Sequence, residues 1–145
     1  MRTHEEVIAF IDVFERELFA SARIRFTRHR KWSDNFPESP GIYAIYDNTT
    51  LLYVGESANI KERMKEVKRT VNHAFRKKLG RHLYNGIIVN GKFSDEIESN
   101  LNEYYLSNLS FVFRPLIFGR LEVETHLINR NKETLLNSIG VRGTN

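Results

Sequence analysis

Residues 41 to 56 read Gly-Ile-Tyr-Ala-Ile-Tyr-Asp-Asn-Thr-Thr-Leu-Leu-Tyr-Val-Gly-Glu, two strand-forming runs around a polar tetrapeptide. Ile, Tyr, Leu and Val dominate residues 41–47 and 51–56, and Asp47-Asn48-Thr49-Thr50 is turn-like, so the stretch is a β-hairpin. A hairpin commits the chain to an antiparallel pair. Because side chains alternate across a strand, it also sorts residues between two faces. Tyr43 and Tyr53 stand ten residues apart and share a face only if the loop has an odd number of residues. A three-residue loop, Asn48 to Thr50, pairs Ile45 with Tyr53 and leaves Tyr43 diagonal to Tyr53, within reach of it. A two-residue loop puts the tyrosines on opposite faces.

The hairpin sits among helices. Thr3 and Glu6 form a capping-box pattern, and Val7, Ile11, Phe14 and Leu18 recur at helical spacing, predicting a helix that runs to about residue 25. Residues 33–40 read as a loop. After the hairpin a helix starts near Asn59, which precedes Glu62 by three as a cap should, and a second basic helical stretch runs to Gly80. Residues 83–90 are a strand or an extended connection ended by Asn90-Gly91. An acidic helix follows from Ser94 to about Ser107, then a strand from Leu109 to Phe118 and a helix from Gly119 to about residue 131. The expected fold is a small α/β (α+β) sandwich: an antiparallel or mixed sheet with one hairpin, flanked by helices.

At 145 residues and 41% hydrophobic, the chain suits a single domain over 1–145. Within it, residues 1–32 form an N-terminal helix and basic segment, and residues 40–138 a core. The absence of cysteine excludes disulfides and thiolate zinc sites. No apolar run approaches the ~18 residues of a membrane span, so the reading is a soluble, cytoplasmic protein with no membrane partner. The formal charge of +4 is compatible with nucleic acid without demanding it.

Two charged residues fall on apolar helical stripes. Arg63 lies three after Ile60 and four before Val67, on a stripe continued by Met64 and Val71. It is there to be paired, to snorkel or to face a polar site, and beside a helix start it would make a phosphate clamp. Glu124 lies three after Leu121, three before Leu127 and four before Ile128. A carboxylate on such a face is paired or holds a metal. One carboxylate with water and phosphate oxygens suits Mg²⁺; the alternative is a structural ion pair, with Arg63 as a partner.

Gly41-Ile42-Tyr43 followed by Tyr53-Val54-Gly55, then Arg63, Glu124-Thr125-His126-Leu127-Ile128 and Asn137, resembles the GIY-YIG nucleases over roughly residues 40–138. The segments Asn72 to Gly80 and Phe113 to Glu124 resemble that family's restriction-enzyme-like branch. The resemblance implies a metal-dependent endonuclease that hydrolyses phosphodiester bonds in DNA. It also implies roles. Tyr43 takes a proton from water, helped by His73. Tyr53 positions water or phosphate, Arg63 steadies the phosphoryl oxygens, Glu124 holds one Mg²⁺ (or Mn²⁺), and Asn137 orients the surroundings of Glu124. For Tyr43 to act as a base, Arg63 and a hydrated metal must lower its pKa of ~10. His73 is equally a phosphate contact or a surface histidine. Glu56 departs from the family pattern, as a further metal ligand or a solvated acid.

The basic residues form two runs. Five of the nine residues from Arg23 to Lys31 are Lys or Arg, with Phe26 interleaved, and nine basic residues lie between Lys61 and Arg81. Residues 92–103 hold four acids and one lysine. This separation fits a phosphate-tracking surface, with Arg28, Arg30, Lys31, Lys61, Arg76, Lys77, Lys78 and Arg81 as the contacts. Duplex DNA is the expected partner, and cutting both strands with one site per chain points to a homodimer. Two other readings stand: a non-catalytic nucleic-acid-binding domain on the same fold, and a repair or mobile-element nuclease module.

Overall fold

The structure, a computed structural model, describes residues 3–137. Ser138, the last residue of the expected core, lies outside them. Among the described residues the chain forms a four-stranded sheet in the order β1-β4-β2-β3, antiparallel at every pairing, with helices on both faces. The elements are α1 (His4–Phe19), β1 (Ile24–Arg25), β2 (Gly41–Asp47), β3 (Thr50–Ser57), α2 (Ile60–Glu66), α3 (Ala74–Tyr84), α4 (Asp95–Asn108), β4 (Leu109–Pro115) and α5 (Arg120–Arg130). A single 3-10 turn, Trp32–Asn35, precedes β2.

Alternation divides the sheet between two cores. Tyr43, Ile45, Tyr53 and Phe111 face Ile60, Met64, Phe75 and Tyr105 on one side. Ile42, Ala44, Val54 and Val112 face Ile11, Phe14 and Leu18 of α1, with Val123 and Leu127 of α5, on the other. Both layers cover the central strands, which is why β2 is buried from Gly41 through Tyr46. The N-terminal segment belongs to this architecture: α1 covers one face, β1 pairs with β4, and Phe26 and Trp32 enter the first core.

The hairpin reaches the expected pairing by a different route. Its loop is the two residues Asn48-Thr49, since Asp47 pairs with Thr50 and Tyr46 with Leu51; the register then shifts so that Ile45 pairs with Tyr53. Leu52 is the extra residue of a β-bulge, and it restores the parity that a two-residue loop loses. Asn48 takes φ 54° in that turn, the left-handed geometry tight hairpins require.

Four expected elements end elsewhere, among them the strand from Leu109, which stops at Pro115 rather than Phe118. The first helix stops at Phe19, because beyond it Arg23-Ile24-Arg25-Phe26 alternates with period two and Ile24–Arg25 pairs with β4. The helix from Asn59, with an expected apolar stripe reaching Val71, stops at Glu66, and the second basic stretch is α3, which runs past Gly80 to Tyr84. Residues 85–90 are an extended connection whose Val89 bridges Lys92 across the Asn90-Gly91 turn. The expected caps form: Glu6 N donates to Thr3 Oγ1, and Glu62 N donates to Asn59 Oδ1. No helix among the described residues is long and apolar enough to cross a membrane.

Candidate active site

The site is built on β3, an edge strand. Tyr43 on β2 lies opposite Gly55 on β3, and its ring occupies the space a side chain there would need. A Cβ on Gly55 would fall 2.3 Å from Tyr43 Cζ. Glycine at this position therefore lets the Tyr43 ring lie flat over the strand. The bulge at Leu52 turns Tyr53 to the same face, with the two ring centroids 6.2 Å apart.

The break between α2 and α3 brings in two further residues. In a continuous helix Arg63 and His73 would be about 15 Å apart along the axis. Instead the chain turns back, so that Arg63 Nη1 donates to the Asn72 carbonyl at 3.2 Å and His73 becomes the N-cap of α3. Ile60, Met64 and Val67 line the buried stripe as expected, but Val71 is 56% exposed because the helix has already ended. His73 is fully buried. Its Nδ1 accepts the Phe75 amide at 3.1 Å, and its Nε2 lies 3.1 Å from Tyr43 Oη. With Nδ1 engaged as an acceptor, a neutral imidazole carries its proton on Nε2 and donates it to the Tyr43 oxygen.

Glu124 comes from α5, in the opposite layer. Leu121, expected on the buried face, is 63% exposed, and Val123 and Leu127 are the buried residues. Glu124 lies at the flank of that face, half-buried against β3. Among the described residues no Lys, Arg or His lies within salt-bridge distance of it, so the ion pair with Arg63 does not form. Glu56 is neither solvated nor free: Arg120 Nε donates to its Oε1 at 3.0 Å. Asn137 binds β3 directly. Its Oδ1 accepts from Val54 N at 2.9 Å and its Nδ2 donates to Val54 O at 2.8 Å. The side chain thus completes the open edge of the strand, between Tyr53 and Gly55, rather than touching Glu124.

Burial pushes Tyr43, Tyr53, His73 and Glu124 toward their neutral forms. Desolvation first, and then Tyr53, raise the Tyr43 hydroxyl far above its ordinary range, although Arg63 pulls the other way. Tyr53 is pushed up to about 12, again by burial against the pull of Arg63. Arg63 acts on Tyr43 in the expected direction, but by itself it does not outweigh desolvation. Burial, seconded by Arg63, lowers His73 to about 3. Burial and the neighbouring Glu56 raise Glu124, while the Glu56 backbone amide draws it partly back.

A cation fits this arrangement. An ionised Glu124 is desolvated and repelled by Glu56, and no positive side chain among the described residues answers it. No group of three or more His, Cys, Asp or Glu converges among the described residues, so the donor set is not an all-protein cage. It matches a hard cation held by one carboxylate, water and a substrate phosphate.

The basic residues divide. Arg76, expected on the surface, is 1% exposed. It pairs with Glu98 at 2.8 Å, donates to Thr70 and Asn102, and lies over the Tyr105 ring. It is a core residue because α4 presents a carboxylate to it, which no local pattern announces. Arg28 pairs with Glu103 and Lys61 with Asp34. Lys77 and Lys78 are half-buried, and burial lowers the Lys78 ammonium. Arg30, Lys31 and Arg81 are exposed. Compared with protein-family models, curated proteins and solved structures, the chain matches none.

Proposed function

We propose that the chain is a metal-dependent endonuclease of the GIY-YIG kind that hydrolyses phosphodiester bonds in duplex DNA, with a restriction-like mode of cutting. One observation carries this reading. Tyr43, Tyr53, Arg63, His73 and Glu124 come from separate elements spread over eighty residues, yet the two tyrosine ring centroids lie 6.2 Å apart, His73 Nε2 lies 3.1 Å from Tyr43 Oη, and Arg63 and Glu124 both act on the charge states of the two tyrosines. A core needs no such convergence, which includes a carboxylate with no cationic partner among the described residues.

The residues divide the work as follows. Arg63 spends one N–H on the Asn72 carbonyl and keeps further donors for the phosphoryl oxygens, where charge develops as water attacks phosphorus. Tyr43 accepts from His73 Nε2, so its oxygen is held in place. Two positive or donating groups, His73 and Arg63, favour the phenolate that takes the water's proton. Tyr53 borders the same space and orients the water or the phosphate. The bond to the leaving sugar oxygen breaks as the new bond forms. His73 serves as a donor and not as a base, since its one free lone pair is spent on the Phe75 amide. Glu124 would hold Mg²⁺ or Mn²⁺, which supplies Lewis-acid polarisation of the phosphate and charge for the leaving oxygen. With one such site per chain, cutting both strands takes two chains or two encounters.

The test is cleavage of supercoiled plasmid by purified protein in Mg²⁺, Mn²⁺ or EDTA, beside Glu124→Ala. Metal-dependent nicking or linearisation that is lost in the variant is the expected result. Cleavage by the variant at the wild-type rate would sink the metal assignment. A salt-sensitive mobility shift without cleavage would leave only a binding domain.

A further inference from the structure

The two basic runs, thirty to forty residues apart in sequence, meet in a cleft of about 230 Å³. One wall carries His29 and Arg30, from the segment before the 3-10 turn. The other carries Lys65, Lys68 and Arg69, from α2 and the turn after it. No carboxylate lines it. Lys65 and Arg69 are partly answered from outside by Glu62 at 2.7 Å and Glu66 at 3.8 Å. Arg30 and Lys68 are exposed and have no carboxylate within salt-bridge distance among the described residues. The contrast lies just across the same turn. A second cavity shares Lys68 and Arg69 and adds Lys92, but it also holds Asp95 and Glu98, so its positive charge is largely offset.

We infer that the cleft is a phosphate-tracking groove that holds the sugar-phosphate backbone of a nucleic-acid strand beside the reaction centre. The inference takes the identity of the polyanion from the nuclease reading and its place from the cleft. The floor argues for backbone rather than bases. Phe26 and Trp32 are buried, their ring centroids lie 4.9 Å apart, and Trp32 Nε1 is committed to the Arg25 carbonyl. Neither ring is free to stack a base, so the groove contributes grip without sequence preference. The link to the reaction centre is short. Arg63 lies on α2, and Lys65, Lys68 and Arg69 of the cleft wall follow it within six residues. The Arg69 carbonyl accepts the amides of Asn72 and His73, so the cleft wall and the His73 cap are one turn of chain.

The experiment measures binding of a fluorescent duplex in EDTA, where nothing is cut, across a salt series. The proteins are wild type, Arg30→Glu/Lys68→Glu, and Arg16→Glu as a control on α1, which packs against the other face of the sheet. Loss of two phosphate contacts should weaken binding about tenfold or more and reduce the salt slope by about two. Arg16→Glu should leave both nearly unchanged. With Mg²⁺, plasmid cutting by the double variant should fall at low DNA concentration and recover at saturation, because Tyr43, Arg63 and Glu124 are untouched. Unchanged affinity and slope in the double variant, equal weakening by Arg16→Glu, or no duplex binding by wild type at low salt would each overturn the groove. Unchanged binding with cutting intact removes the groove and leaves the nuclease. Groove-dependent binding with Glu124→Ala still cutting at the wild-type rate removes the metal assignment and leaves the groove.

Discussion

Two polar clusters lie in this small protein, and they are settled in opposite ways. Around Arg76 nearly every need is met, only its Nη1 being left without a hydrogen-bond partner among the described residues. Glu98 accepts from Arg76, from Thr70 and from the Phe93 amide. Burial works against its charge, but these hydrogen bonds outweigh burial and hold its carboxyl below the ordinary value. Around Tyr43 the hydrogen bonds of His73 are made but burial prevails: Tyr43, Tyr53 and Glu124 are raised and His73 is lowered, all chiefly by burial. The first cluster stabilises the fold with charge. The second holds groups whose charged forms burial disfavours, and strongly perturbed groups of this kind cluster at functional sites. On the nuclease reading proposed above, the difference separates a structural ion pair from a reaction centre.

That comparison can be broken or sharpened by substitution. Glu124→Gln should abolish cutting, by a thousandfold or more, about 4 kcal/mol of barrier. The same change should leave the melting temperature in EDTA unchanged or raise it, since it removes a desolvated charge. Glu98→Ala should do the reverse. It strands Arg76 in the core and should lower stability by about 3–5 kcal/mol, read by denaturant unfolding. The pH dependence has matching signs. Glu98 contributes stability that is present above the ordinary carboxyl value of 4.5 and lost as pH falls through its lower native value. Glu124, raised from 4.5, costs stability when ionised, a cost that acid relieves. Equal losses of stability in the two variants would erase the distinction.

Smaller effects test the supports. Asn137→Ala leaves the Val54 amide and carbonyl unpaired, a loss of about 1–3 kcal/mol that should appear as faster amide exchange at Val54. His73→Asn keeps a capping oxygen for α3 but loses the bond to Tyr43. His73 is lowered from 6.5 to about 3, so its neutral form stabilises the fold above pH 6.5, and that contribution is lost as pH falls toward 3. Wild type should therefore lose stability at about 1.4 kcal/mol per pH unit more steeply than His73→Asn over that window. Parallel pH profiles for the two proteins would place His73 outside the buried cluster.

The parts legible in the sequence were those written locally. The hairpin followed from strand-forming runs around a turn, and the starts of α1 and α2 from capping residues three positions before a glutamate. Glu124 was found for a reason only partly right, since Leu121 faces solvent and the true buried pair is Val123 and Leu127. What escaped was non-local. Arg76 looks like any other member of its run until Glu98, twenty-two residues on, is folded against it. The two-residue strand β1 owes its existence to β4, although the alternation of Arg23 to Phe26 was there to be read. The break before α3 was hinted at by Asn72-His73 as cap residues ahead of Phe75, and it turned two residues of one run into neighbours of the same tyrosine.

The bulge at Leu52 has a consequence for how this chain can vary. Between Ile45 and Tyr53 the ladder below the bulge sets the pairing; above it the turn sets its own, Tyr46 with Leu51 and Asp47 with Thr50. The irregular residue separates the two registers, so the tip of the hairpin and the tyrosine pair need not change together. Removing Leu52 leaves Leu51 opposite Tyr46 and Tyr53 opposite Ile45, with the strand straightened and both tyrosines still on one face. A single residue added below the bulge, between Tyr53 and Gly55, has no such outlet, because Gly55 must stay beneath the Tyr43 ring. Length changes are thus tolerated on one side of a single leucine and forbidden on the other.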